Sequence, residues 1–335
     1  MTSRPKVVIT HRVHAPVKEL LGRECDVVAN EDVETWPRQK LIEVARAADA
    51  LLVFMPDLID DALLAACPKL RVIAAALKGF DNIDVAACTR RGIWVAIAPD
   101  LLSSPTAELA LTLTLGLTRN VLPGDHRVRS GEFKGWRPVL YSGGIVGRSV
   151  GIIGMGKLGQ AFAKLLAGFN AQIRYYDPAP LSPVQEAIMG ISRTTLDQLL
   201  SQSDVIVVLA PLTPATQHMI NAQALAKMKP GTYLVNVGRG SVVDENAVTA
   251  ALQSGHLAGY AADVFEMEDW ARVDHPQGVA PALLAEKQRT LFTPHMGSGV
   301  QSVRLEIELA AARSILQGLH GETPTGAINA PEARQ

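Results

Sequence analysis

The chain has 335 residues, more than one hydrophobic core organises, so two domains are expected. Lys and Arg total 32 against 33 Asp and Glu, and the formal charge of −1 provides no global field to draw the protein to nucleic acid or to an anionic membrane. An anionic ligand must therefore be held by local charges. Cys25, Cys67 and Cys88 lack the paired spacing of a metal or redox site and read as small buried hydrophobes of a cytoplasmic protein, with no metal called for.

The opening stretch MTSRPKVVITHRVH holds no apolar run of signal-peptide length and enters a strand directly. Runs rich in Val, Ile, Leu and Ala at Lys6–His11, Cys25–Asn30, Asp49–Phe54, Leu70–Ala76 and Trp94–Ala98 suit parallel strands buried on both faces. Val17–Arg23 and Arg38–Ala47 are long enough to be crossover helices between them. The most apolar long stretch, Leu101–Leu117, carries Pro105 and Glu108, which argues against a membrane span and for a buried helix between the domains. A second series of strands follows at Val150–Gly154, Gln172–Asp177, Asp204–Ala210, Thr232–Val237, Ala258–Val264 and Thr290–Pro294, spaced by helical stretches such as Leu158–Phe169 and Glu245–Ser254. Val300–Leu319 is a last amphipathic helix, expected to return to the first domain. The fold class is α/β, with two doubly wound parallel-sheet domains.

Gly154-Met155-Gly156-Lys157-Leu158-Gly159 fits G-x-G-x-x-G, and it follows a strand and opens an apolar-striped helix, as a dinucleotide site requires. The glycines permit the tight turn and close backbone approach, and the helix N-terminus offers N–H groups to a pyrophosphate. Asp177, at the end of the next strand, stands where a carboxylate accepts the adenosine ribose hydroxyls and repels a 2′-phosphate, so NAD is favoured over NADP. Its competing role is to start the turn with Pro178. Thr106, Pro211, Val237 and Asp263 complete the expected cofactor-binding set.

Three later segments each follow a strand: Asn236-Val237-Gly238-Arg239-Gly240, Asp263-Val264-Phe265-Glu266-Met267-Glu268 and Thr293-Pro294-His295-Met296-Gly297-Ser298. Residues beyond C-terminal strand ends line the ligand crevice of an open parallel sheet, so Arg239, Glu268 and His295 are expected to converge there. Arg supplies a fork of donors to an oxyanion, and a His oriented by a carboxylate exchanges a proton.

With these motifs the chain resembles the D-isomer-specific 2-hydroxyacid dehydrogenase superfamily across nearly its whole length. The resemblance implies a flavodoxin-like substrate domain at 1–101 and 298–335, a Rossmann NAD domain at 102–297, and a cleft between them. It also implies a homodimer, and Arg239, Glu268 and His295 as the catalytic trio. Phe54-Met55-Pro56-Asp57, Ala76 to Asn82, Arg129 to Trp136, Phe265 to Arg272 and Val303 to Glu308 further resemble the phosphite (phosphonate) dehydrogenases of that superfamily. That resemblance implies oxidation of phosphite to phosphate with NAD⁺. Lys78 joins the trio facing Arg239, and Met55, Gly79, Trp136, Tyr141, Ser298 and Arg304 line the substrate pocket. Trp136 and Tyr141 would close an apolar wall that excludes water. The small anionic substrate gives a reason for the added cation, since phosphite carries nearly two charges where a 2-hydroxy acid carries one. D-2-hydroxyacid dehydrogenase or glyoxylate/hydroxypyruvate reductase is the competing activity. Gly238 and Lys157 depart from the pattern, where a Cys and a small apolar residue are usual.

Overall fold

A computed structural model describes residues 4–98 and 100–331; the outer ends of the expected domain boundaries, residues 1–3 and 332–335, lie outside the described residues. Among the described residues the strands form two all-parallel sheets, one per compact unit.

The first unit runs to Leu102 and takes in Trp270–Val273 and the chain from Ser298 onward. Its strands are β1 (Lys6–Ile9), β2 (Asp26–Ala29), β3 (Ala50–Val53), β4 (Val72–Ala75) and β5 (Trp94–Ile97), in the order β2-β1-β3-β4-β5. Alternate strand residues face opposite sides, and both sides are apolar. Val8, Leu51, Val53, Ile73 and Val95 pack with Leu41, Leu63, Leu64, Ala87 and Cys88. On the other side Val7, Ile9, Leu52, Val72 and Ala74 meet Val17, Leu21, Ile307, Ala311 and Ile315, the last three from the helix Gln301–Leu319. Each fully buried Val, Leu or Ile among them contributes about 1.5–3 kcal/mol of transfer free energy. Cys25, Cys67 and Cys88 are all free and buried, and burial pushes the Cys88 thiol up to about 12, which keeps it protonated and unreactive.

The second unit comprises Ser103–Asp269 and Asp274–Gly297. Its strands are β6 (Ser149–Ile153), β7 (Gln172–Tyr176), β8 (Ile191–Arg193), β9 (Val205–Val208), β10 (Thr232–Asn236), β11 (Leu257–Ala262) and β12 (Thr290–Phe292), ordered β12-β11-β10-β9-β6-β7-β8. The order reverses between β6 and β9, the place where an open α/β sheet opens a crevice for a ligand. The strand β8 has no counterpart in the sequence expectations: Ile-Ser-Arg, with one buried residue, is too short to show a period.

The apolar helix, expected between the domains, belongs to this unit's own core. It spans Ser103–Thr118 and packs Ala107, Ala110, Leu113 and Leu117 against Val150, Ile152, Val205, Val235 and Ala261. Its buried hydroxyls turn inward, Thr114 Oγ1 donating to Ala110 O at 2.7 Å and Thr118 Oγ1 to Thr114 O at 2.7 Å, so no polar atom is left unsatisfied there. Among the described residues no helix is long and apolar enough to cross a membrane.

Candidate active site

The five residues of β6 are all buried, and the chain then turns sharply at Gly154, φ +97°. A Cβ there would lie 2.9 Å from Ala210 N, and one at Gly159 would lie 2.2 Å from Gly154 O, so both positions require glycine for packing. Gly156 differs, since a Cβ on it would meet nothing within 4 Å. The protein itself therefore does not need glycine at 156, and the open space in front of it fits a pyrophosphate. Gly156 caps the helix Lys157–Leu165, whose first N–H groups point toward that space, with Leu158 half-buried and Lys157 exposed at the first turn.

Asp177 follows β7, where it makes the expected turn and also ties into the glycine loop. Its Oδ2 accepts the Met155 N–H at 2.6 Å, which ties it to the glycine loop, and its Oδ1 accepts the Ala179 N–H at 2.8 Å, which makes the turn. A carboxylate has about four acceptor positions, so sites remain for a ribose. Pro211 is exposed just beyond β9, where its carbonyl accepts Thr216 Oγ1 at 2.6 Å, and Val237 is buried just beyond β10.

Beyond β10, Asn236 shapes the next turn: its Oδ1 accepts Gly238 N–H at 3.1 Å and its Nδ2 donates to Arg239 O at 2.9 Å. Gly238 has no room for a side chain, a Cβ falling 2.5 Å from Ala210 O. Arg239 is half-buried. Beyond β11, Glu268 Oε1 accepts the Phe265 N–H at 2.8 Å, and Oε2 stands 2.6 Å from His295 Nδ1. That contact puts the imidazole proton on Nδ1 and leaves Nε2 as the basic nitrogen. His295 holds a left-handed conformation, φ +52°, its N–H donating to Asp263 O at 2.8 Å.

Asp263 is buried, and its carboxylate accepts Thr293 Oγ1 at 2.6 Å, Met296 N–H at 2.8 Å and Gly297 N–H at 2.9 Å. Expected among the cofactor ligands, it is thus the group that shapes the His295 turn, with Thr106 packed against Gly297 on the far side. Burial pushes its carboxyl upward, against the opposing pull of these hydrogen bonds. Arg239, Glu268 and His295 lie beyond the C-terminal ends of three adjacent strands of one sheet.

The first unit collects its own polar side chains at the equivalent edge. Met55 follows β3, and its carbonyl accepts Asn82 Nδ2 at 3.3 Å. Lys78 and Gly79 follow β4. Lys78 pairs with Asp100 of the same unit. Arg304 donates through Nη1 to Ala76 O at 3.2 Å and approaches Ser298 Oγ at 3.4 Å, with its guanidinium 5.6 Å from the Phe54 ring. Burial lowers its pKa, while Glu308, 3.6 Å away, works in the opposite direction.

Trp136 and Tyr141 do not form an apolar wall within the single chain. They are 76 % and 75 % exposed, on a stretch between the helix Val121–Arg129 and β6 with no helix or strand of its own. Tyr141 instead lines a surface cavity of about 490 Å³ with Leu115, Arg119, Ile145 and Phe169. Their aromatic character suggested a pocket, but a segment without a periodic pattern gives no sign of which way it faces.

A family model described as the NAD binding domain of D-isomer specific 2-hydroxyacid dehydrogenase matches residues 111–297. A glyoxylate reductase of Thermofilum pendens is 37% identical over 331 residues, which cover 98% of this chain and 95% of that protein. The chain belongs to the D-isomer-specific 2-hydroxyacid dehydrogenases.

As a 2-hydroxyacid dehydrogenase it is an NAD-dependent oxidoreductase, and its second unit is the NAD-binding domain. A glyoxylate reductase of Pyrococcus furiosus is 36% identical over 331 residues, covering 97% of this chain and 96% of its own. The crystal structure of a glyoxylate reductase from Paecilomyes thermophila superimposes with a TM-score of 0.84 at 27% identity, covering 98% of this chain and 99% of that one. These similar proteins carry the name glyoxylate reductase and not phosphite dehydrogenase, so the finer resemblance rests on this chain's own segments. Asn236, which shapes the Arg239 turn, and Glu308, 3.6 Å from Arg304, escaped the sequence expectations. An Asn ending a strand two residues before a Gly is the one signal that pointed to either of them.

Proposed function

We propose that this 2-hydroxyacid dehydrogenase oxidises phosphite, HPO₃²⁻ + NAD⁺ + H₂O → HPO₄²⁻ + NADH + H⁺. The observation that carries the reading is the pair of cations at one edge of the first unit, Lys78 beside Asp100 and Arg304 beside Ser298. Added cations of this kind suit a compact dianion better than a monocarboxylate. The segments Arg129–Trp136 and Phe265–Arg272, which resemble phosphite dehydrogenases, support the same substrate.

The cofactor supplies the acceptor for a hydride. The protein's part is to hold the anion and handle one proton. Arg239, Lys78 and Arg304 hold phosphite oxygens. Glu268 keeps His295 with Nδ1 protonated, so Nε2 takes a proton from the water that forms the new P–O bond as the P–H bond breaks. Met55, Gly79 and Ser298 complete the pocket, and the exposed Trp136 and Tyr141 belong to a homodimer surface.

Reduction of glyoxylate or hydroxypyruvate is the second reading. The names of the similar proteins fit it better than phosphite oxidation, and the same trio serves it with His295 donating the proton. At this level of identity the substrate is decided by the site and not by the fold. NADH formation from phosphite and NAD⁺, run beside NADH consumption with glyoxylate, tests the two. Turnover of phosphite that collapses in Lys78→Ala supports the first, whereas turnover of glyoxylate alone replaces it with the second.

A further inference from the structure

Arg304 stands in the first turn of the helix Gln301–Leu319, and the partners that hold it belong to the first unit. Nη1 donates to Ala76 O at 3.2 Å and approaches Ser298 Oγ at 3.4 Å, and the guanidinium lies over the Phe54 ring. These three partners are neutral. Nη2 faces a charged one, Glu308 Oε1, at 3.6 Å, one turn further along the same helix.

Glu308 sits where an apolar residue would be expected. Its neighbours Ile307, Ala311, Ala312 and Ile315 pack in the apolar core, and Glu308 is itself only 4 % exposed. A buried carboxylate is costly unless its partners compensate it. Oε2 has such a partner in His14, at the start of the helix Ala15–Gly22: the His14 N–H donates to it at 3.0 Å and the ring Nδ1 lies 2.8 Å away. A neutral amide oxygen would also accept that N–H, so the tie to the His14 backbone calls for no charge. The charge has its use at Oε1, where it faces a guanidinium that stays protonated at any working pH.

We propose that Glu308 is a positioning residue: fixed through Oε2 to His14, it turns the Arg304 guanidinium with Oε1 and so sets how tightly the substrate anion is held. The inference rests on the reading of Arg304 as a substrate ligand, and not on which anion is the substrate. The donor fork of an arginine matches an oxyanion in few orientations, on a side chain with many rotamers. Ala76 O holds one end of the fork and Glu308 the other, so the orientational freedom is removed before the anion arrives.

The test is a double-mutant cycle of Glu308→Gln and Arg304→Ala, with kcat and KM measured for phosphite with NAD⁺, or for glyoxylate with NADH where phosphite is not turned over. Gln keeps the shape and an acceptor for the His14 N–H and removes the charge. Glu308→Gln is expected to raise the KM of the anion about tenfold while kcat changes less than about twofold. Arg304→Ala is expected to raise KM further. Adding Glu308→Gln to it is expected to change KM by less than about twofold, because the group to be positioned is gone. Glu308→Asp, which keeps the charge on a shorter side chain, is expected to fall between the wild type and Gln, and it replaces Gln in the cycle if Gln does not fold. An equal rise in KM in both backgrounds means that Glu308 acts through the fold at large and overturns the proposal. An unchanged KM in Glu308→Gln beside a raised one in Arg304→Ala overturns it as well and leaves Arg304 in the site. An unchanged KM in Arg304→Ala removes Arg304 from the site and the positioning role with it. Turnover of glyoxylate without phosphite faults the phosphite reading alone, since the cycle is then read with glyoxylate.

Discussion

Glu268 engages two partners with its two oxygens: Oε1 accepts the Phe265 N–H at 2.8 Å and Oε2 holds His295 Nδ1 at 2.6 Å. The first bond fixes the carboxylate and the second fixes the imidazole, so the ring orientation is set by a group that is itself anchored. Glu268→Gln keeps the shape but removes the charge that balances a protonated ring. Its kcat is expected to fall about 10²-fold with the NADH dissociation constant unchanged, as read by steady-state kinetics and fluorescence titration. Near-normal turnover would remove Glu268 from the machinery.

Gly156 and Gly159 separate ligand room from protein room. Gly159→Ala forces a Cβ against Gly154 O and is expected to lower stability by about 1–3 kcal/mol. Gly156→Ala meets no protein atom and is expected to leave stability within about 0.5 kcal/mol while weakening NADH binding about tenfold or more. Thermal melts of the cofactor-free protein and NADH titrations decide this; a destabilised but normally binding Gly156→Ala would contradict the assignment of that space to the pyrophosphate.

Asp177 puts a negative charge at the end of β7, where it also accepts the Met155 N–H. Asp177→Asn retains an acceptor and removes the charge. The ratio of kcat/KM with NAD⁺ to that with NADP⁺ is expected to drop about tenfold, through a gain with NADP⁺. An unchanged ratio would assign cofactor choice to other residues.

Glu245, buried and exchanging hydrogen bonds with Glu266, leaves a mark on stability. Its carboxyl titrates near 7 in the folded protein and in the ordinary carboxylate range when unfolded. Between those values the folded state keeps a proton that the unfolded state has lost, so stability falls as pH rises through that window and levels off above 7. The wild type is expected to lose about 3 kcal/mol over this range relative to Glu245→Gln. Denaturant unfolding of both proteins between pH 4.5 and 8 measures the difference, and parallel profiles would mean that Glu245 ionises normally.

Much of the fold was legible because its strands are buried on both faces. Runs such as Ala50–Val53 and Val205–Val208 are uniformly apolar and stand out from the helices between them. The edge strand β8 did not, since its Ser192 and Arg193 are exposed and leave no run to detect. The glycine loop was legible because three glycines at fixed spacing answer to backbone geometry alone. The trio Arg239, Glu268 and His295 was legible as residues that each follow a strand.

By itself, then, the sequence determined the succession of βα units, the cofactor loop and the chemical groups on offer, all of which depend on neighbours a few residues apart. Only the tertiary structure decided the partners. Glu268 meets His295, Lys78 meets Asp100, Asp263 closes the 293–297 turn, and Glu245 crosses with Glu266. Each pair joins strand ends or turns some 20 to 35 residues apart. Which ends lie side by side follows from strand order and parallel register, set by how helices pack on both faces of a sheet, and no local pattern of residues encodes that order.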